Sequence, residues 1–583
     1  VKPSHAVRAL VAIAAALALA DASVVALALP PILSEMRTSV TGVAAIVGVY
    51  ALVLALAIVP GERLVRALGP ERAGALGLGL FALASVGCAV APSLTPLLIG
   101  RALQAAGGAA GLLAAFSLLD AGGSAGGRRL WLGAALVGTA AGPALGGALT
   151  EALSWRAIFV VQAPIAGVAA VACVLRAAVP ARERAPLAVA AEPRGVTLWR
   201  GGVAPPRPAG AETPLGDVEP ARLLRGAPAL PLASLALTSA AFTVVLFLLV
   251  LELVAGFAIA PLRAALGVSV LPVAALAASA IRGDATARAA AGGMLIAGGA
   301  AALALLPGAS IGWAIVPQLL AGAGMGLALP AFANGLLPER TVAEAARGLL
   351  ARHAGVVVIL AILAPVVSAK LTALTERATL QGTAVVLDAD LPPQDKLALA
   401  PTLLDGVDAQ QPRGGLKAAI ERGRATYGRG ARAKPYDELA TRLDGVVIDA
   451  VRGAFKLAYA IAAALALLGA ALLIRRGGRA VALAAVAAVA CVAGYAVAAH
   501  ERAPPAVVLQ DPCRPRRLPQ SGGLDGFLQA QVLRQLDRTA CRYGSTREEL
   551  VLALADATRA RAYERRYGVD PRSVSGLLGL LGG

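Results

Sequence analysis

Thirteen apolar runs recur along this chain, at about 7-29, 41-60, 73-91, 96-118, 130-150, 157-176, 232-257, 264-281, 290-307, 310-334, 350-369, 454-474 and 480-499. A helix needs about 20 such residues to cross the roughly 30 Å hydrocarbon core of a bilayer, and helices satisfy their own backbone there without water. The expected fold class is all-α, a polytopic membrane protein. Composition agrees: 58 % of residues are apolar, the mean hydropathy is +0.73 and only 15 % are charged. An ordinary soluble protein carries about 25 % charged residues, so a soluble globule of this composition could not cover itself with polar surface. Soluble enzymes, disulfide-dense scaffolds, collagen-like chains and disordered chains are excluded.

Lys and Arg in the short loops orient the spans. With the N-terminus inside, the inner segments hold fourteen of them, among them Arg63, Arg66, Arg72, Arg128, Arg129, Arg282, Arg340, Arg475 and Arg476, whereas the outer loops hold Arg37, Arg156 and Arg263. Basic residues favour cytoplasmic loops, so the N-terminus is expected in the cytoplasm and the C-terminal tail outside. Of 53 basic residues only six are Lys, and this Arg and Ala bias resembles that of a GC-rich bacterial genome, which places the chain in a bacterial plasma membrane. The net charge of +18 is spread along the chain with no basic stripe among aromatics, so no nucleic-acid partner is expected.

The expected layout is a six-span bundle over 1-176, a cytoplasmic linker over 177-231 containing Pro205, Pro206 and Pro208, and a second six-span bundle over 232-474. The second bundle carries an extracytoplasmic helical insert over 370-452, with Leu403, Leu404 and Val407, and Leu439, Leu443 and Val447, at helical spacing. A thirteenth span over 475-499 and a small extracytoplasmic helical tail over 500-583 follow. In the tail a helix is expected from about Leu524 to Cys541, a capping box of Ser545 and Glu548 opens another, and Asp570 with Pro571 starts a third. Cys513 and Cys541 lie outside the spans and should pair in an oxidising compartment, closing about 28 residues for a few kcal/mol; two unpaired surface thiols are the alternative. The insert and tail also offer surface to a cell-envelope partner.

A charge in hydrocarbon costs about 2.5 to 3.5 kcal/mol on insertion scales, so each one needs a reason. Asp21 lies in the first span, Arg101 in the fourth with Gln104 one turn on, and Glu252 in the seventh. A desolvated carboxylate can exchange a proton on alternate sides of a membrane, and an Asp and Arg whose separation changes with conformation make a proton switch. A static ion pair, and an interfacial position for Glu252, are the alternatives. In the fifth span Gly138, Gly142 and Gly146 recur every fourth residue, beside Pro143 and Gly147, and let another helix approach closely; a plain packing face is the alternative. His5, His353 and His500 show no metal-ligand spacing and there is no phosphate-binding Gly-Lys-Ser/Thr loop. Neither enzyme activity nor a metal or other cofactor is expected.

Gly142-Pro143 with Gly146-Gly147, followed by Ser154-Trp155-Arg156, Phe159 and Pro164, resembles the antiporter motif and next span of the 14-span drug/proton antiporters of the major facilitator superfamily. Asp21 and Ser23 through Ala28-Leu29-Pro30 resemble that family's first-span motif, and Arg101 through Ala109 its fourth-span motif. Gly322, Gly324 and Gly326 before Pro330 are similar to the tenth span of such carriers. The resemblance implies two bundles alternating between inward-open and outward-open states around a central chamber. It implies proton-coupled efflux of a lipophilic or amphiphilic small molecule, with Asp21 at the chamber, Arg101 and Gln104 beside it, and the Gly142-Pro143 helix limiting leak. One departure stands out. Aligned on Leu64 and Gly69, the loop between spans two and three has Glu62 where the family has its first Gly and Arg66 where it has an Asp, while Arg72 is retained. That Asp normally helps latch the cytoplasmic side, so the alternative is a transport-inactive relative serving as a membrane scaffold or sensor through its outer insert and tail. The family's extra pair of spans between the halves is also absent, which leaves a variant 13-span layout.

Overall fold

The computed structural model describes residues 5–178, 228–404, 412–474, 478–503, 506–516, 518–519 and 523–573. Every regular element among them is helical. Most of the expected linker, Val407, Arg475, Arg476 and any helix beyond the turn at Pro571 lie outside the described residues. The first half comprises α1 (His5–Ala26), a short α2 (Leu29–Glu35), α3 (Val40–Leu68), α4 (Pro70–Ala89), α5 (Leu94–Leu118), α6 (Ala125–Ala152) and α7 (Arg156–Ala178). There follow α8 (Ala229–Leu251), α9 (Pro261–Val268), α10 (Val270–Ser279), α11 (Ala285–Leu303), α12 (Ile311–Ala331), α13 (Val342–Leu387), α14 (Pro393–Leu404), α15 (Pro412–Tyr427), α16 (Ala433–Ala471) and α17 (Arg479–Glu501). The tail holds α18 (Gly523–Tyr543), α19 (Arg547–Ala555) and α20 (Ala557–Tyr567). Eleven stretches among the described residues are long and apolar enough to cross a bilayer. α1 and α6, of 22 and 28 residues, pack into the same bundle and occupy the places of the other two expected spans.

The halves repeat one packing scheme. In the first, α4 lies on α5 and α7, α3 on α5, and α1 on α6; in the second, α11 lies on α12 and α16, α10 on α12, and α8 on α13. Lipid is as apolar as a leucine side chain, so it supplies no hydrophobic drive to bring helices together, and close van der Waals contact takes its place. Glycine permits it at equivalent points of the repeat. A Cβ on Gly77 would strike the backbone of Gly107 and Gly111, and one on Gly107 the Gly77 carbonyl; Gly292 and Gly324 obstruct each other in the same way. α17 lies outside the repeat, against α11, where Gly298 meets Ala488, and Tyr495 donates to the Trp313 carbonyl at 2.5 Å.

The expected insert is not a module separate from the spans. α13 and α16 run unbroken for 46 and 39 residues, about 69 and 58 Å at 1.5 Å per residue, roughly twice the hydrocarbon thickness. Spans eleven and twelve therefore continue beyond the membrane. No helix breaker follows position 369 until Asp388, and Leu439, Leu443 and Val447 bury the flank of α16. The tail caps this projection. Arg547, buried completely, reaches Asp388 at the end of α13 at 2.8 Å and Glu548 at 3.1 Å, Arg516 reaches Asp537 at 3.0 Å, and Gln381 donates to the Val507 carbonyl at 2.7 Å. Cys513 and Cys541 form a disulfide that ties the segment before α18 to its end.

The capping box is corrected by one residue. Thr546 and Glu549 cap α19, while Glu548 faces the buried arginines and the Ser545 hydroxyl lies 2.6 Å from that of Tyr563. Both pairs have the same spacing, and burial of Glu548 with two guanidinium groups selects between them. Removing the disulfide with Cys513→Ser and Cys541→Ser, at a sequence separation of 28, should destabilise the cap by about 3–4 kcal/mol. Hydrogen exchange should accelerate in α18–α20 and remain unchanged in α3–α5.

Candidate functional site

Asp21 and Arg101 meet in one closed network inside the first half. The Asp21 carboxylate of α1 accepts from Arg101 Nη2 at 2.5 Å and from Gln162 Nε2 of α7 at 3.0 Å. Arg101 also donates to Gln104 Oε1 at 2.6 Å and to the Ile46 carbonyl of α3 at 3.4 Å, and its guanidinium lies 4.2 Å from the centre of the Tyr50 ring. Gln104 Nε2 donates to Ser85 Oγ of α4 and to Gln162 Oε1, each at 2.8 Å. Asp21, Ser85, Arg101 and Gln104 are 0 % exposed. Every side-chain nitrogen and oxygen of Asp21, Arg101, Gln104 and Gln162 has a partner, as a low-dielectric interior demands. Five helices are joined at this point.

Glu252 stands apart, in the second half. It opens a π-helical turn, Glu252–Gly256, at the end of α8, is 1 % exposed, and accepts from the Tyr459 hydroxyl of α16 at 2.8 Å. It belongs to no ion pair among the described residues. It is buried within the protein, four residues from the end of the apolar stretch Ala229–Gly256.

The glycines of α6 serve two contacts. Cβ atoms on Gly138 and Gly146 would strike the carbonyls of Ala16 and Val24, a constant offset that lays α6 parallel to α1 over two turns. Gly147 instead meets Ala265 and the Pro261 carbonyl of the other half. Gly142 and Pro143 are buried within the same unbroken helix. In the loop between spans two and three, Arg66 pairs with Glu62 at 2.7 Å along α3, Leu64 packs against the first half's core, and Arg72 is exposed. Gly69, at φ +81°, joins α3 to α4 in a conformation that a Cβ disfavours. Trp155 and Arg156 pin the opposite face, donating to Glu35 of α2 at 2.6 and 2.5 Å.

Between the halves, α3 lies on α13 and α6 on α9 and α10. At the face where α1 begins, Gly122 abuts the Arg340 carbonyl and Trp131 Nε1 donates to Glu339 at 3.2 Å. At the far face, Glu151 accepts from the Leu262 amide at 2.6 Å. A cavity of about 50 Å³ lies at this seam, lined by Leu19, Trp131, Leu235, Phe332 and Leu349, with Glu339 and Arg352 at its polar end. Sites for drug-sized ligands are about 300–1,000 Å³, so this cavity is too small to hold one. Asp21, Arg101, Gln104 and Glu252 do not line the cavity. Asp21 is two residues beyond Leu19 on α1, which turns it into the first half and away from the seam.

The sequence model of the Major Facilitator Superfamily matches residues 11–351. The chain belongs to that superfamily. The multidrug resistance protein Stp of Mycobacterium tuberculosis is 33 % identical over 150 residues, which cover 25 % of this chain and 28 % of that protein. The multidrug efflux pump LfrA of Mycolicibacterium smegmatis is 39 % identical over 150 residues, 25 % of this chain and 30 % of the pump. The cephamycin export protein CmcT of Amycolatopsis lactamdurans is 35 % identical over 150 residues, 25 % and 31 % respectively. Each match thus spans less than a third of the relative's length. A crystal structure of a bacterial homologue of the human lysosomal transporter Spinster, inward-facing and unoccupied, superposes with a TM-score of 0.51 at 16 % identity over 81 % of this chain and 98 % of that one, which shows a shared fold.

Sequence reasoning missed Ser85, Gln162 and Tyr50, because apart from Gln104, one turn from Arg101, only full charges in the spans were questioned. A Gln in the middle of an apolar run carries the same signal at lower cost. It also missed Trp131, near the start of α6, and Glu339, in the turn before α13, both beside segments read only for their arginines. Arg101→Met strands the Asp21 carboxylate in the interior and should cost about 3–5 kcal/mol, whereas Asp21→Leu with Arg101→Met removes both charges and should recover most of that loss. Thermal unfolding of the purified protein in detergent checks the order of the three.

Proposed function

We propose that this chain is a secondary transporter that exports a lipophilic or amphiphilic small molecule in exchange for protons by alternating access. The observation that supports it is where the polar contacts close. The Asp21–Arg101 network is internal to the first half, and Glu252–Tyr459 with Ser234 Oγ to the Gly469 carbonyl (2.7 Å) is internal to the second. The seam between them carries single described hydrogen bonds at each face, with α3 packed on α13 and α6 on α9 and α10 around a small apolar cavity. Two bodies whose polar networks close within each of them, and which meet across helix faces, are what rocking about a seam requires. The apolar lining suits cargo of that class, and the relatives named for multidrug resistance, efflux and export lend the direction. The arginine-rich face at which α1 begins is taken as the cytoplasmic one.

Two acids serve different roles in this reading. Asp21 does not face the chamber in the closed conformation, so any proton it carries has to be exchanged in a state where Gln162 and Arg101 have parted from it. Glu252, hydrogen-bonded to a phenol and in no ion pair among the described residues, is the acid that can change protonation without breaking one. In proteoliposomes with an imposed proton gradient, Glu252→Gln should abolish gradient-driven export of amphiphilic cargo while leaving downhill exchange within about twofold of wild type. Asp21→Asn, which leaves Arg101 uncompensated, should lower the yield of folded protein and both activities together. Background flux from the wild-type protein across a broad amphiphile panel would remove the transporter reading.

A further inference from the structure

The carboxylate that the family carries in the loop between spans two and three is missing, yet the two halves meet at the face where α1 begins, taken above as the cytoplasmic one. Arg66, in its place, is turned onto Glu62 of its own helix. The start of α13 supplies its own cap, with Thr341 accepting from the Glu344 amide and Glu344 accepting from the Arg340 and Thr341 amides. Neither group reaches across the seam. What does cross is the indole of Trp131, from α6, donating to Glu339 in the turn before α13 at 3.2 Å. The indole is held edge-on against Phe116 with ring centres 5.5 Å apart, and Glu339 Oε1 lies 3.2 Å from where a Cβ on Gly348 would stand. The bond sits at the mouth of the cavity, beside the π-turn Phe332–Leu336 that ends α12.

We propose that Trp131 and Glu339 are the inner latch of this carrier, a hydrogen bond across the seam at a mouth whose closing takes the Glu339 carboxyl out of water. The mouth stays shut while Glu339 is protonated and opens to hydrate the charge when the proton leaves to the cytosol, although the indole itself binds the carboxylate more strongly. The charged groups facing Glu339 are Arg128 from α6 and Arg352 and Glu344 from α13, while the His353 ring is turned to the Leu349 carbonyl at 2.8 Å. Burial pushes the Glu339 carboxyl up to about 7, against the opposing pull of the indole and the two arginines. In an open mouth the same group faces water, at the usual glutamate value of about 4.3. The closed state therefore binds the proton more tightly. Closure is favoured below the open-state value and weakens as pH rises through about 7, so the ratio of closed to open should fall about tenfold between pH 6 and pH 8. Proton release to the cytosol would then precede loading of cargo from that side.

The proposal rests on the transporter reading, and its test separates the two. Full-length protein with Cys491→Ala would carry spin labels at Arg129→Cys and Arg282→Cys, exposed positions of the first and second halves at the cytoplasmic face. Distances would be measured by pulsed dipolar spectroscopy in lipid nanodiscs at pH 6 and 8. The short-distance population should shrink about tenfold relative to the long one from pH 6 to pH 8. Glu339→Gln, a fixed neutral mimic, should stay short at both. Trp131→Phe should move toward the long distance at both pH values and retain the pH response. An unchanged distribution in the wild type, or a Glu339→Gln protein that responds as the wild type does, overturns the latch while leaving transport untouched. Absence of any long-distance population in all three proteins overturns both readings.

Discussion

A bilayer offers no hydrogen-bond partner, so a charge placed in it must find its partner inside the protein. The Asp21–Arg101 pair meets that demand for the first half of this molecule. Because the guanidinium and carboxylate are multidentate, satisfying them drew Gln104, Gln162, Ser85 and the Ile46 carbonyl to one point, and so set the mutual placement of five helices. A buried pair is weak evidence of net stabilisation, since desolvation offsets much of the attraction; what it contributes is a unique arrangement, because any other leaves a charge uncompensated.

The same economy explains the seam. Polar groups consumed within each half are not available between them, and the inter-half contacts are helix packing, α3 on α13 and α6 on α9 and α10, with single described hydrogen bonds at each face. Gly138 and Gly146 fasten α6 to α1, whereas Gly147, one residue further round the helix, is the point where α6 meets the other half. One helix thus packs on its own body through two glycines and on the other through a third. Outside the membrane the balance is reversed. Arg516, Asp537, Arg547, Glu548 and Asp388, with the Cys513–Cys541 disulfide, bind the tail to the projecting end of α13, so a movement of that helix would carry the cap with it.

Much of this architecture could be read from the chain. Apolar runs report spans because the hydrocarbon core has a fixed thickness, and the two halves follow from the Pro-rich stretch between them. The apolar runs of spans eleven and twelve are shorter than their helices because hydropathy reports where lipid stops, not where a helix stops. α13 continues for eighteen residues beyond 369, in a segment polar enough to leave the membrane and regular enough to stay helical. Thr546 was passed over for Ser545 because a capping box is defined by spacing, while the choice between neighbouring boxes depends on what else Glu548 must pair with.

The sequence by itself determined the membrane class, the helical fold, the two-half layout and the identity of the isolated charges, since each is a matter of composition or period along one dimension. Tertiary structure alone decided which way those charges face. Leu19 and Asp21 are two residues apart on α1, yet one lines the seam and the other closes into the first half, because an advance of two residues turns a helix by more than half a circle. The pairing of Trp131 with Glu339, 208 positions apart, lay equally beyond the sequence, since neither residue carries a periodic signal and only the meeting of two halves brings a donor to that carboxylate.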